Sequence, residues 1–140
     1  MKRSSQRGFT LIELMVAIVI IGLLSTFVVL NVLPSQDQAM VEKARADVAL
    51  LGQAVEMYRL DTHTYPSTEQ GLEALVTAPE GLRKEAYVRR LPTDPWGTAY
   101  QYVFPGERGA FDVYSLGANR RLGGDGLDAD IGNWDKDPQT

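Results

Sequence analysis

The chain has 140 residues and carries 14 lysines and arginines against 18 aspartates and glutamates, for a net charge of −4, with no cysteine. This length leaves room for one domain and one membrane helix, but it excludes two full-sized globular domains. The acidic balance argues against a nucleic-acid surface. A chain without cysteine has no disulfide, no thiolate metal site and no thiol nucleophile.

The chain begins with a short basic leader, which is followed by a long apolar run. The leader carries three cations, Lys2, Arg3 and Arg7. The run extends from Phe9 to Leu30, and its only charged residue is Glu13. Its 22 residues would span roughly 33 Å as a helix, which is enough to cross a bilayer core. The sequence therefore predicts a membrane helix, with the amino terminus in the cytoplasm and the body of the chain on the opposite side of the membrane.

Two other interpretations of this segment stay open. A carboxylate in lipid costs on the order of 2.5–3.5 kcal/mol near the centre of a span, so Glu13 either has a specific partner or extends to the interface without one. A cleaved secretory signal would have a shorter apolar region of about 7–15 residues before a small-x-small site. The run here is longer and continues into a helical pattern.

The apolar run is predicted to join a second helix and so to form one long spine. Small residues on one side of the run would let neighbouring helices approach closely in lipid; they are Gly22, Ser25 and Thr26. Pro34 is expected to interrupt the helix. From Ser35 onward, apolar residues recur at steps of three and four, which is typical of an amphipathic helix with one face toward a core. These residues are Met40, Ala44, Val48, Leu51, Val55 and Tyr58.

The segment after the spine is predicted to be mostly irregular. Pro66 moves the preceding residue out of the helical region, so a turn covers residues 62–66. Ser67 and Gln70 fit a capping box, in which each side chain accepts a hydrogen bond from the amide of the other residue. A short helix is expected to follow through about Val76, and one further short helix is expected near residues 84–88.

Two strands are predicted after a turn bracketed by prolines. The turn covers residues 91–97, where Leu-Pro-Thr-Asp-Pro-Trp-Gly is too irregular for a helix or a central strand. Alternating apolar residues over 100–104 and 111–116 then indicate two strands. A helix followed by a small antiparallel sheet is an α+β fold.

A glycine-rich, acidic loop follows the second strand, and its carboxylates are Asp125, Asp128 and Asp130. Such a loop offers hard oxygen donors of the kind that Ca²⁺ binds in flexible geometry. The spacing is not that of an EF-hand, because the Asp-x-Asp-x-Asp-Gly order and the distal glutamate are missing. On the residues alone, a solvated loop is favoured over a calcium site.

No residue pattern indicates an enzyme. The single histidine, His63, stands in a turn without a second histidine or a Glu-x-x-His partner. Ser67 and Ser115 have no histidine pattern around them, and no phosphate-binding loop is visible. The aromatic residues of the first predicted strand are assigned to packing rather than to nucleic-acid stacking, because the chain is acidic.

The start of the apolar run resembles a known processing signal. The residues Gly8-Phe9-Thr10-Leu11-Ile12-Glu13, followed by an apolar helix, are similar to the class III signal of type IV pilins and type II secretion pseudopilins. The resemblance implies that a prepilin peptidase cuts after Gly8 and that the new terminal amine, on Phe9, is methylated. It also implies that Glu13 pairs with the terminal amine of a neighbouring subunit, which would remove the cost of two unpaired charges in lipid.

Three further segments resemble the family of major pseudopilins of type II secretion systems, the general secretion pathway protein G family. They are Asp-Pro-Trp-Gly at 94–97, Tyr-Ser-Leu-Gly-Ala at 114–118 and Asp-Ala-Asp-Ile-Gly-Asn-Trp at 128–134. With the amino-terminal signal, the resemblance extends from Gly8 to Trp134. It implies a type IV pilin-like fold, with a long amino-terminal helical spine, a small carboxy-terminal antiparallel sheet and a calcium loop.

The same resemblance implies a ligand set for the ion. The ligands would be the carbonyl of Leu116 and the side chains of Asn119, Asp128 and Asp130. The family usually has an aspartate followed by glycine at the position of Asn119, whereas here two arginines follow. We therefore expect weaker Ca²⁺ binding, with Asp125 as a substitute ligand.

The family resemblance also implies an organisation and a function. Residues 1–8 would be a cleaved prepilin leader, 9–33 a transmembrane and assembly helix, and 34–140 a periplasmic pseudopilin domain. The chain would be the major structural subunit of the pseudopilus, a homopolymer that helps drive folded proteins across the outer membrane. Its partners would be copies of itself, minor pseudopilins, the prepilin peptidase and the assembly platform of the inner membrane, with no nucleic acid.

Two alternative functions remain. A type IV pilin serving adhesion or DNA uptake would share the amino-terminal signal, but the absence of cysteine and the ending at 130–134 speak against it. A membrane-anchored periplasmic calcium-binding domain that never polymerises would share the other features.

Overall fold

The computed structural model describes residues 8–135, and the side chains of residues 27–34 lie outside that description. The leader cations at positions 2, 3 and 7, and residues 136–140, also lie outside it. The chain divides into two compact units, Met1–Gln36 and Asp37–Thr140.

A long helix and a small sheet make up the regular structure. Helix α1 covers Leu11–Thr62, and a short 3₁₀ helix covers Gly71–Val76. Strands β1, β2 and β3 cover Gln101–Val103, Asp112–Ser115 and Ile131–Gly132, and a second 3₁₀ helix covers Gly126–Asp128. The strands form one antiparallel sheet in the order β1-β2-β3. The predicted α+β fold is confirmed.

The first unit carries apolar side chains on all sides of α1. Between Phe9 and Leu24 the large apolar side chains are exposed, Phe9 to 88% and Leu11 to 81%. Two polar side chains directly after this stretch bond inside the helix, since Ser25 Oγ donates to Ile21 O at 2.7 Å and Thr26 Oγ1 donates to Gly22 O at 3.1 Å. The hydroxyl groups therefore place no unpaired donor on the apolar surface.

Among the described residues, no helix combines the length and the apolar character needed to cross a membrane.

Residues 27–33 of the predicted span are among those whose side chains lie outside the description. The membrane assignment of residues 9–33 stays a prediction.

Helix α1 continues through Pro34 without a break, so the predicted interruption at this residue is wrong. A proline removes one hydrogen bond to the carbonyl four residues earlier, but the bonds of the turns on either side remain available to the helix.

The second unit has one core, which lies between α1 and the sheet. The predicted stripe is confirmed at its centre, where Ala44, Val48, Leu51 and Val55 are buried. Val48, Leu51 and Val55 belong to a cluster with side chains from the first 3₁₀ helix and from the sheet region, which are Leu72, Leu75, Tyr100, Tyr102, Phe111 and Val113. Each large apolar side chain buried here contributes about 1.5–3 kcal/mol to folding.

The tyrosines near β1 bury their rings and find partners for their hydroxyl groups. Tyr100 donates to Asp47 Oδ2 at 2.8 Å, and Tyr102 donates to the carbonyl of Pro66 at 2.8 Å. Burial raises the pKa of Tyr100, and the hydrogen bond to Asp47 raises it further. The hydroxyl therefore stays protonated and links α1 to the sheet.

The capping box at Ser67 is confirmed, but the helix after it is of the 3₁₀ type. Ser67 N donates to Gln70 Oε1 at 2.9 Å, and Gln70 N donates to Ser67 Oγ at 3.1 Å. The helix predicted near residues 84–88 is wrong, because this stretch is irregular. Tertiary contacts hold it instead: Val88 N donates to Leu75 O at 3.1 Å, and Tyr87 donates to Asp61 at 3.0 Å. Burial and this bond to Asp61 raise the pKa of Tyr87 to about 12.

Candidate functional site

The amino-terminal site lies at the first turn of α1. Gly8 and Phe9 precede the helix and are exposed. Thr10 N donates to Glu13 Oε2 at 2.9 Å, and Glu13 N donates to Thr10 Oγ1 at 3.3 Å. This is a capping box, which satisfies two amides that the first turn of a helix would otherwise leave unpaired. Glu13 therefore has a partner within its own chain.

Sequence reasoning missed this role of Glu13, although the signal was present. The spacing Thr10-x-x-Glu13 before an apolar run is the ordinary signature of a capping box. The carboxylate thus has a structural function at the helix start, in addition to the assembly function that the resemblance implies.

The acidic loop, residues 116–130, connects β2 to β3. Two of the predicted ligands, Asn119 and Asp130, meet at the backbone of Gly123. Asn119 Nδ2 donates to Gly123 O at 3.3 Å, and Gly123 N donates to Asp130 Oδ2 at 2.9 Å. The side-chain oxygen of Asn119 accepts a hydrogen bond from Arg121 N at 2.8 Å. The loop is therefore closed by bonds among its own residues.

The other predicted ligands are less closely gathered. Leu116 is half-buried directly after β2, whereas the side chains of Asp125 and Asp128 are exposed on either end of the second 3₁₀ helix. Between residues 8 and 135, no three side chains of His, Cys, Asp or Glu lie close enough together to hold a metal ion. A site in this loop would have to use carbonyl oxygens as well as carboxylates.

One oxygen atom in the loop is suited to coordinate a cation. Asp130 Oδ1 is buried and accepts no hydrogen bond, whereas most buried polar atoms in proteins are paired. An unpaired carboxylate oxygen away from water is costly, and a hard cation would remove that cost. Because Ca²⁺ readily takes backbone and amide carbonyls as ligands, the absence of a three-acid cluster among the described residues does not conflict with this fit.

Asp94 joins the acidic loop to the turn at 94–97. This carboxylate is buried, and its Oδ1 accepts hydrogen bonds from Trp96 N at 3.1 Å and Thr98 N at 2.6 Å. Its Oδ2 accepts the hydroxyl of Ser115 at 2.7 Å, and Ser115 Oγ in turn accepts Gly117 N at 3.1 Å. The end of β2 and the start of the loop are therefore fixed to the turn.

Sequence reasoning placed residue 94 in a turn but did not assign this role. An aspartate that precedes Pro-Trp-Gly is a common signal for a side chain that bonds the backbone two residues on. The bond to Ser115, which is 21 residues away, has no local signal.

The segment after the loop extends the sheet. Asn133 makes three bonds to the β2 region: its amide donates to Val113 O at 3.0 Å, its Oδ1 accepts Val113 N at 3.1 Å, and its Nδ2 donates to Phe111 O at 3.0 Å. Trp134 packs with its ring centroid 5.4 Å from that of Tyr114. A Cβ on Gly132 would overlap the Trp134 ring, so a larger residue at this position would force the ring to move.

His63 lies directly after α1 in the left-handed region, with φ of 61°, and its amide donates to Arg59 O at 2.8 Å. A left-handed residue in this position is a common way to end a helix. The structure therefore gives the histidine a helix-ending role, in agreement with the turn that the sequence predicts.

Helix α1 begins in an exposed apolar run, and its later half packs on a small antiparallel sheet. These features define a subunit of the type IV pilin class. Comparison with known proteins narrows this class. The family model for the type II secretion system (T2SS) protein G matches residues 31–134. A second model, for the prokaryotic N-terminal methylation motif, matches residues 3–29. The chain belongs to the family of type II secretion system protein G.

Individual relatives agree with this assignment. The chain is 52% identical to the type II secretion system core protein G of Pseudomonas aeruginosa, over 96% of this chain and 99% of the relative. It is 50% identical to the protein of the same name from Vibrio cholerae, over 95% of this chain and 94% of the relative. The structure matches the crystal structure of the major pseudopilin from the type 2 secretion system of enterohaemorrhagic Escherichia coli with a TM-score of 0.62. That match has 41% sequence identity and covers 74% of this chain and 90% of that chain. The predicted family is confirmed, and it is a family of structural subunits, not of enzymes.

Proposed function

We propose that the chain is the major structural subunit of a type II secretion pseudopilus, which polymerises in the periplasm and helps to drive folded proteins across the outer membrane. One observation supports this most directly. The first unit has no core of its own around residues 9–24, where large apolar side chains are exposed on all sides of α1. Such a surface is stable only against lipid or against other apolar helices.

The amino-terminal site supplies the chemistry of assembly in this proposal. A prepilin peptidase cuts after Gly8, the amine of Phe9 is methylated, and Glu13 pairs with the amine of a neighbouring subunit. Pairing removes the cost of two charges in an apolar environment and fixes the register between adjacent helices. The precursor is anchored in the inner membrane with its amino terminus in the cytoplasm. Minor pseudopilins and the assembly platform of that membrane are its other partners.

Cysteine crosslinking in cells tests polymerisation. The chain has no native cysteine, so single substitutions such as Val16→Cys, Val19→Cys and Leu23→Cys introduce the only thiols. Because these positions are exposed on α1, we expect mild oxidation to give dimers between neighbouring helices for the positions that face each other. Paired substitutions on one helix should then give a ladder of higher multimers on non-reducing gels.

The matched control for crosslinking carries Gly8→Leu together with the same cysteines. This variant keeps its leader and should stay in the membrane without forming the ladder. A membrane-anchored domain that never polymerises would give no ladder in either background, which would contradict the proposal.

Deletion of the gene should abolish exoprotein secretion. Intact secretion with lost adhesion or DNA uptake would instead indicate a type IV pilin.

We also propose that the acidic loop binds Ca²⁺ weakly. Asp130, Asp128, the carbonyl of Leu116 and the side-chain oxygen of Asn119 would hold the ion. Bound Ca²⁺ would pair electrostatically with the unpaired oxygen of Asp130. It would also link the two ends of the loop, because Leu116 and Asp130 would both coordinate it. The chain's own residues already close the loop at Gly123, so the ion adds to an existing arrangement.

Addition of Ca²⁺ is expected to raise the melting temperature of the full chain in detergent. A ligand that binds only the folded state stabilises it by about 2.7 kcal/mol at a hundredfold excess over its Kd. The loss of tryptophan fluorescence on heating reports on the second unit, because both tryptophans, Trp96 and Trp134, lie there.

Two substitutions distinguish the ligands of this site. Asp130→Ala should abolish the rise in melting temperature that Ca²⁺ causes, even if the substitution also changes the melting temperature in chelator. Asp125→Ala should reduce this calcium-induced rise only if Asp125 is a substitute ligand. Equal melting of the unmodified chain in Ca²⁺ and in chelator would refute the calcium proposal.

A further inference from the structure

The acidic loop is attached to the turn at 94–97 at two separate points. The first attachment runs from Gly117 through Ser115 to Asp94, at the start of the loop. At the second, the guanidinium of Arg120 donates from Nη2 to Trp96 O at 2.8 Å. Two attachments only three residues apart fix both the position and the direction of the loop where it leaves β2.

The acceptor of the second attachment is itself held in place. Trp96 N and Thr98 N both donate to the buried carboxylate of Asp94, so the peptide groups of this turn have little freedom. A rigid acceptor lets one hydrogen bond from a charged donor restrict the whole loop, since charge-assisted bonds are roughly twice as strong as neutral ones.

The backbone of Arg120 shows that this conformation is imposed by its surroundings. Its φ is 58°, a left-handed value that is unfavourable for a residue with a Cβ. Such values persist where neighbouring contacts determine the conformation. Here the contacts are those of the guanidinium with Trp96, of Arg121 N with the Asn119 side chain, and of Asn119 with Gly123.

From these observations we infer that Arg120 is a positioning residue, whose contact with Trp96 keeps the acidic loop ordered without a metal ion. The two arginines after Asn119 then have different effects. Arg121 adds positive charge near the carboxylates, and its exposed guanidinium makes no hydrogen bond or ion pair within residues 8–135. Arg120 adds the same charge but also preorganises the loop. Removal of the Arg120 side chain therefore weakens cation binding, even though the loop then carries more negative charge.

The sign of the affinity change separates preorganisation from simple charge repulsion. If removal of Arg120 leaves the loop ordered in only about one molecule in ten, the apparent Kd for Ca²⁺ rises about tenfold, because affinity scales with the competent fraction. If the arginine acts only through its charge, the Kd falls instead. Arg121→Ala is the matched control, since it removes one positive charge from the same loop but no side-chain hydrogen bond or ion pair to the part of the chain that the structure describes.

The test uses the full chain in detergent and two measurements. Calcium titration should show a Kd that is roughly three- to tenfold weaker for Arg120→Ala than for the unmodified chain, and unchanged or tighter for Arg121→Ala. A tighter Kd for Arg120→Ala would overturn the inference. This measurement rests on the calcium proposal.

Hydrogen exchange in chelator gives an independent measurement that needs neither calcium nor polymerisation. The amides of Ala118 and Gly123, which donate to Leu127 O and Asp130 Oδ2, should be protected in the unmodified chain and in Arg121→Ala. Protection should fall at least about tenfold in Arg120→Ala, because local opening sets their exchange. Unprotected amides in the unmodified chain would overturn the inference even if Arg120→Ala failed to fold. Protected amides with no measurable calcium binding would refute the calcium proposal alone.

Discussion

A subunit with Glu13 replaced by alanine is expected to enter the membrane and fold its second unit normally, yet to form no filaments. The substitution removes a carboxylate from an apolar run and so does not oppose insertion. It leaves the terminal amine of each neighbour without a counter-charge, and breaking a buried charge pair typically costs about 3–5 kcal/mol. A cost of that size lowers each association constant by roughly a hundredfold or more. Electron microscopy of sheared filaments measures the outcome.

The capping box requires a control that separates its two functions. Glu13→Gln keeps an oxygen that accepts the bond from Thr10 N, which in the structure is 2.9 Å long, but it removes the charge. Thr10→Val keeps the charge and removes the hydroxyl that accepts from Glu13 N. If charge pairing drives assembly, the glutamine variant should fail and the valine variant should still assemble. The opposite pattern would mean that capping of α1 is the essential function.

Replacing Asp94 by alanine is expected to lower the free energy of unfolding of the second unit by about 3–5 kcal/mol. Three donors lose their acceptor, and a buried donor without one costs about 1–3 kcal/mol. The amides of Trp96 and Thr98 belong to half-buried residues, so water replaces part of their loss and the total stays below the full sum. The third donor, the hydroxyl of Ser115, is fully buried, so no water replaces its lost acceptor. Urea unfolding followed by tryptophan fluorescence measures the change, in chelator so that calcium does not contribute.

Three further variants make this prediction specific. Asp125→Ala changes the same side chain at an exposed position and should cost no more than about 0.5 kcal/mol. Asp94→Asn keeps one acceptor and should lose roughly half as much stability as the alanine variant. The double variant of Asp94→Ala and Ser115→Ala should lose less than the sum of the single losses, since the two residues share a bond. A cost for Asp94→Ala as small as that for Asp125→Ala would contradict the role assigned to Asp94.

The parts of the fold that could be predicted are those whose signal is local and repeated. The stripe through Val48, Leu51 and Val55 repeats over several turns, so the helix and its buried face follow from its period. The alternation around β1 and β2 gives the same kind of signal for strands. Strand β3 has only two residues, which is too short for any period, and it exists because its partner β2 lies beside it.

The candidate sites divide in the same way. The Thr10-x-x-Glu13 spacing is local and could have been interpreted as a capping box from the sequence. The bond between Asp94 and Ser115 joins residues from different elements, and the contact between Arg120 and Trp96 spans 24 residues. Contacts of this kind depend on how the chain packs. For that reason the sequence indicated only the charge of Arg120, and the structure was needed to show its bond.

A cut after Gly8 would place an ammonium group one residue before Thr10, at the end of α1 where the helix macrodipole already carries about half a positive elementary charge. A cation is unfavourable at this end of a helix. The carboxylate of Glu13 lies in the same turn, 2.9 Å from Thr10 N, and offsets both positive contributions. Each subunit would thus carry its own counter-charge before it meets another, so that assembly exchanges an internal electrostatic partner for an external one.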